Sequence, residues 1–182
     1  MKTSTRYDGT QITLHWLIAI MIICTWVVGK IMMDLPLSPT KFKIISYHKW
    51  SGMTIFTLAA IRLIYRLVKG APDLPASTPA WQRIAANGTH HLLYLLMLAI
   101  PLSGWLMSSA KGFPVTYLGV LPIPDLVSKD ANLGEVLEGV HEWLNNGLLL
   151  LLLAHAGAAL KHHYIDRDDI LARMVPWLRR KA

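Results

Sequence analysis

HEWLNNGLLLLLLAH, residues 141–155, sets a histidine at each end of an apolar run. The run is too long and too uniform for one stripe of a soluble helix, which is apolar on one face only. Three more segments share this character, each near the roughly 20 residues needed to cross a hydrocarbon core. The spans are read at about 12–33, with LHWLIAIMIICTWVVG (14–29) as its centre, then about 47–68, 89–109 and 140–163. LPLSPTK (35–41), GAPDLPASTPAW (70–81) and KGFPVTYLGVLPIPDLVSKDANLG (111–134) join them and read as loops, because proline fixes φ and ends helices. The fold expected is an all-α membrane bundle of four helices, with residues 1–182 as one unit and no internal repeat.

Composition agrees. Of the 182 residues, 53% are hydrophobic and 16% charged, against about 25% charged in soluble domains. Mean hydropathy is +0.39. A net charge of +7 would suit nucleic acid, but the basic residues form no patch interleaved with aromatics, so nucleic acid is not an expected partner. They flank the spans instead, where they set orientation. With the N-terminus in the cytoplasm, that side holds Lys2, Arg6, Arg62, Arg66, Lys69, Arg83, Lys161, Arg167, Arg173, Arg179, Arg180 and Lys181. The other side holds Lys30, Lys41, Lys43, Lys49, Lys111 and Lys129. Both termini are therefore expected in the cytoplasm, and a bacterial inner membrane surrounded by lipid is the expected setting. The first apolar segment contains His15 and Lys30 and lacks a small-residue cleavage pattern, so it reads as a retained span and not as a secretory signal. The single cysteine, Cys24, excludes an intrachain disulfide and a cysteine-held iron–sulfur cluster. Trp16, Trp26, Trp50, Trp105 and Trp143 read mostly as interfacial belts.

Polar side chains at membrane depth are costly and mark function. His141 and His155 are 14 residues apart, about four turns and about 21 Å, so they share a helix face at two depths. One metal ion cannot bridge that gap, but two stacked porphyrins can use it. His48 lies at the outer depth and His15 at the inner one, so the expected pairs are His48 with His141 outside and His15 with His155 inside. Fourteen residues after His15 stands Gly29, after His90 Gly104, and after His48 Arg62. The glycines read either as room for a flat macrocycle or as ordinary small packing residues. Arg62 reads as a partner for a haem propionate or, like Arg66, as an arginine snorkelling to the interface. Lys41, Lys43 and Lys49 read as steering charges for a small anion or as plain headgroup-facing loop charges.

LHWL (14–17), YHKWSGMTIFTLAAIRLIYR (47–66), HHLLYLLMLAIPLSGW (90–105) and LAHAGAALKHHYIDRDDILARM (153–174) together resemble the prokaryotic cytochrome b561 family over nearly the whole chain. The resemblance implies two non-covalent b haems, with His15, His48, His141 and His155 as the axial ligands. It also implies an oxidoreductase like a superoxide oxidase, which takes electrons from superoxide outside and passes them to ubiquinone. His162, seven residues after the inner ligand, matches a histidine near the quinone, and His90 is the other residue expected there. Residues 70–83 carry no lysine to match the one at the family's quinone site. Other expectations remain open: a non-enzymatic haem subunit for a dehydrogenase or periplasmic redox protein, and a haem-free bundle such as a small transporter or metal channel.

The charge count makes a direct prediction. A reporter active only in the cytoplasm should work when fused after Ala182 and stay silent when inserted after Val120. The opposite pattern would invert the orientation.

Overall fold

A computed structural model describes residues 6–75 and 78–178. Four long helices account for most of it: α1 (Gly9–Asp34), α2 (Pro39–Lys69), α3 (Ala80–Ala110) and α4 (Ala131–Lys161). Each is long and apolar enough to cross a membrane. Lys2, Arg179, Arg180 and Lys181, which enter the charge bias above, lie outside the described residues.

Three helices begin earlier than the apolar runs suggest. α2 starts at Pro39, with Ser38 as N-cap accepting from the Lys41 amide. Proline at a first helical position loses no needed hydrogen bond and is preset for the helix, so PTK is helix and not loop. α3 starts at Ala80 directly after Pro79, and α4 at Ala131 after the N-cap Asp130. Hydropathy marks the part of a helix that meets lipid, and polar turns continue the same hydrogen-bond ladder into water. His48 and His141 consequently sit within their helices and do not open them.

Successive helices are antiparallel neighbours, α1 on α2, α2 on α3 and α3 on α4. One core joins all four: Ile18 and Ile22 of α1, Ile55 of α2, Leu93, Leu96 and Ile100 of α3, and Leu148 of α4. These residues fall in sequence between the two histidine levels, so the packed centre is a layer that separates them. Outward-facing apolar residues such as Ile20, Ile23, Ile64, Leu95, Leu150 and Leu153 are exposed, as lipid-facing positions must be.

The long α3–α4 connection, expected to be loop throughout, contains a small sheet. β1 (Val115–Tyr117) and β2 (Leu121–Ile123) form an antiparallel hairpin, with Val115 opposite Ile123. Its tip takes left-handed backbone at Leu118 (φ 53°) and Gly119 (φ 76°). Hydrogen bonds from Trp50 Nε1 to the Thr116 carbonyl (2.7 Å) and between Thr54 Oγ1 and Tyr117 Oη (2.9 Å) fasten it to α2. Trp105 Nε1 donates to the Pro124 carbonyl (3.0 Å) from α3. Two of the tryptophans read as belts thus hold the hairpin across this end of the bundle.

At the other end the chain turns back after α4. A π-helical turn (His162–Asp166) is followed by Arg167 in the left-handed region, φ 57°. The tail is then tied to α1 by Trp16 Nε1 on the Met174 carbonyl (2.9 Å), and to the α2–α3 loop by Arg173 on the Asp73 carbonyl (2.6 Å). Both ends of the described chain therefore lie at this terminal end, opposite the hairpin end.

Candidate functional site

Two histidine pairs face one another across the bundle interior, one at each end of the core. At the hairpin end the rings of His48 (α2) and His141 (α4) have centroids 6.3 Å apart, with planes at 80°. At the terminal end His15 (α1) and His155 (α4) are 6.2 Å apart, with planes at 68°. The pairing expected from depth is the pairing of the structure.

The hairpin-end rings are fixed in the same way on both sides. His48 Nδ1 lies 3.2 Å from the Thr25 carbonyl of α1. His141 Nδ1 lies 3.0 Å from the Ile100 carbonyl of α3, and also 3.0 Å from Ser103 Oγ. Ser103 itself donates to the Ile100 carbonyl at 2.8 Å. A carbonyl only accepts, so each Nδ1 carries the proton and each Nε2 keeps its lone pair. That is the tautomer a metal-bound histidine normally shows, its other nitrogen donating to a carbonyl or carboxylate.

Gly29 and Gly104 make these contacts sterically allowed. A Cβ on Gly29 would lie 3.1 Å from His48 Cε1, and one on Gly104 would lie 3.1 Å from His141 Cε1. Each glycine stands four residues after the carbonyl that binds the ring, one helical turn along the same face. Sequence spacing points to both glycines as room for a macrocycle or as helix packing; what they admit directly is a histidine ring. The carbonyls of Thr25 and Ile100 and the hydroxyl of Ser103 went unnoticed. The step back from each glycine by one turn is the signal that would have found the two carbonyls.

The terminal-end pair has different surroundings. His15 Nδ1 faces the Arg62 guanidinium, 3.5 Å from Nη2, while Nη1 donates to the Gln11 carbonyl at 2.6 Å. Gln11 is buried and itself donates to the Gly70 carbonyl (2.9 Å). Arg62 therefore reaches the level of the terminal-end histidines, as its spacing from His48 implied. Its charge sits with Arg66 around a small cleft that also includes Tyr94, whose ring lies 5.9 Å from the Arg66 guanidinium. Two guanidinium groups side by side suit an anionic group such as a propionate.

His90 (α3) is also at this level, its ring centroid 5.5 Å from that of His155. It lines a cavity of about 230 Å³ with Tyr7, Arg66, Asp73, Arg83 and Asn87 among its walls. His162 does not line that cavity. Its Nδ1 instead meets Asp168 Oδ2 at 2.7 Å and Asp166 Oδ2 at 3.2 Å, brought back by the turn at Arg167. The two histidines expected at a quinone are thus both at the terminal end but in separate places. Lys41 and Lys49 are held by the carbonyls of Leu35 (2.7 Å) and Phe113 (2.8 Å), and Lys43 stacks near the Tyr47 ring.

A metal–imidazole bond is about 2.0–2.1 Å long, so two rings facing each other across one iron have centroids on the order of 6.3 Å apart. Both histidine pairs match that separation, whereas the His90–His155 contact is too short for it. Both separations leave room for one iron between the rings, and at the hairpin end the tautomer suits it as well.

Residues 6–177 match the model of the prokaryotic cytochrome b561 family. Cytochrome b561 homolog 1 of Escherichia coli K12 is 34% identical over 94% of this chain and 97% of that one. Cytochrome b561 homolog 2 of the same organism is 33% identical over 96% and 93%. A probable superoxide oxidase CybB of Yersinia pestis is 30% identical over 94% and 96%. The chain belongs to the prokaryotic cytochrome b561 family, and is a multi-pass protein of the bacterial inner membrane that binds haem b and transfers electrons.

Proposed function

We propose that this chain carries electrons from a periplasmic one-electron donor, superoxide foremost, to a quinone on the cytoplasmic side, through two b haems. The observation that carries the reading is the pair of facing imidazoles at each end of the core, 6.3 and 6.2 Å apart. His48 and His141 would hold the periplasmic haem, and His15 and His155 the cytoplasmic one. When bound, these groups supply two one-electron carriers in series across the membrane. The charge bias, which puts both termini in the cytoplasm, assigns the hairpin end to the periplasm.

What the chain itself contributes is placement. Thr25 and Ile100 orient the outer ligands, and the apolar layer of Ile18, Ile55, Ile100 and Leu148 excludes water between the two levels. Arg62 and Arg66 supply positive charge for a propionate at the inner level. The balance of the reaction is simple: two superoxide anions each give up one electron to become two O2. One quinone takes those two electrons and two cytoplasmic protons to become a quinol. Lys41, Lys43 and Lys49 offer the anion a positive outer approach. His90, on the cavity at that end, and His162, beyond the inner pair, would line the approach of the quinone headgroup. The similarity to a probable superoxide oxidase supports superoxide as the donor.

Pairing is tested by removing one ring at a time. His48→Ala and His141→Ala should erase the same spectral component, and His15→Ala and His155→Ala the other. Loss of one shared component in His15→Ala and His48→Ala would refute the pairing.

The quinone end is tested separately. His90→Leu and His162→Leu should keep both haem spectra and still be reduced from outside, yet pass electrons to quinone about tenfold or more slowly. His163→Leu should change little. Wild-type quinone rates in both His90→Leu and His162→Leu would remove these histidines from the reaction. A chain that relays electrons only to a partner protein would reduce no quinone at all.

A further inference from the structure

We propose that the β1–β2 hairpin inserts into the membrane: its tip, Leu118–Leu121, sits among the acyl chains of the leaflet at that end of the bundle. The surface it offers is apolar, and its partner is lipid hydrocarbon and not a second protein.

Charge is sorted along the hairpin. No charged residue stands between Lys111 and Asp125, whereas the root is crowded with them. Lys111 pairs there with Glu138, the Lys129 stem lies against Gly112, and Asp130 caps α4. The tip has the opposite character, with Leu118 57%, Val120 81% and Leu121 55% exposed. A hairpin tip in water normally uses Asn, Asp or Gly where the backbone turns left-handed. Here Leu118 takes φ 53° beside Gly119 at φ 76°, so an apolar side chain is kept at a position that disfavours it.

Direction agrees with charge. α2 runs from the hairpin end toward the terminal end, and successive residues on it hold successive parts of the hairpin. Lys49 donates to the Phe113 carbonyl (2.8 Å), Trp50 donates to the Thr116 carbonyl (2.7 Å), and Thr54 shares a hydrogen bond with Tyr117 Oη (2.9 Å). Thr54 lies about 9 Å beyond His48 along the helix axis, and directly precedes Ile55 of the apolar core. Trp50 and Thr54 fall about 200° and 240° around α2 from His48, so they face away from the histidine pair. The hairpin thus leans inward along the outer side of α2 instead of standing out into water.

The strand edges suit lipid as well. In hydrocarbon an unpaired backbone N–H has no water to turn to. Thr116 stands opposite Pro122, and a proline has no N–H to give β1. That pair is therefore of the kind whose backbone groups turn away from the partner strand. Pro124, two residues on, turns the same way. The outward side of β2 at these positions carries no donor, and the Pro124 carbonyl accepts from Trp105 (3.0 Å). On β1 the outward Thr116 carbonyl is the one that Trp50 binds. Prolines on an edge also block pairing with another chain's strand, which argues against a docked protein.

The test is spin labelling of the purified holoprotein in vesicles of phosphatidylethanolamine and phosphatidylglycerol. Cys24→Ser is the background, with one label at Val120→Cys and, in a separate variant, one at Leu121→Cys. Leu150→Cys supplies a lipid-facing reference and Ser128→Cys an aqueous one, and an unaltered haem spectrum shows that the fold is kept. Both tip labels should collide with oxygen in preference to a water-soluble nickel chelate, at a ratio several-fold above that of the Ser128→Cys label and close to that of Leu150→Cys. A ratio matching Ser128→Cys overturns the proposal, because the tip then faces water. Low collision with both reagents overturns it too, since a protein surface then covers the tip.

Discussion

A helix carbonyl inside a membrane already has a partner one turn along its own helix, so a side chain that also binds it must come very close to the backbone. His48 and His141 do this, at 3.2 and 3.0 Å. Much else follows from those two contacts. The facing helix must present a residue without a side chain one turn beyond the carbonyl, which explains Gly29 and Gly104. α1 must lie on α2, and α3 on α4, with the rings turned inward toward each other. Once their Nδ1 atoms are committed to carbonyls, the Nε2 atoms keep their lone pairs. Those lone pairs are the donors the proposed haem would use.

The same logic separates the two ends of the molecule. At the hairpin end the two histidine rings meet neutral carbonyls, and a small sheet pinned by Trp50 and Trp105 covers them. The terminal end is built from charge: Arg62 and Arg66 in the interior, and beyond them Lys161, His162, Asp166 and Asp168 in one linked group. Under the proposed function, electrons would enter at the hairpin end and leave with protons at the terminal end, where the titratable groups gather.

The sequence made the spans and the histidine levels legible because both depend on short-range regularities. Apolar runs report bilayer crossing, and a 14-residue step reports depth and face together. That was enough to bring His48 next to His141 and His15 next to His155, with Arg62 at the level of His15. The helix starts at Pro39, Ala80 and Ala131 were hidden because polar turns carry no hydropathy signal. The hairpin at Val115–Ile123 was hidden because its strands are three residues each and its tip uses Leu118, a residue with no preference for positive φ. The partner of His162 was hidden for a similar reason: it depends on Arg167 taking left-handed backbone, which reverses the chain just enough to return Asp168 to the ring. Contacts set by backbone, such as Thr25 and Ile100 carbonyls, leave almost no trace in residue type.

Everything above stands on there being two iron sites in one chain, so counting them is decisive. Pyridine haemochrome quantified against protein by amino-acid analysis should give two haems b per polypeptide, both removed by acid acetone because the chain has no cysteine pair for covalent attachment. A ratio of one, or haem that resists extraction, would contradict the account.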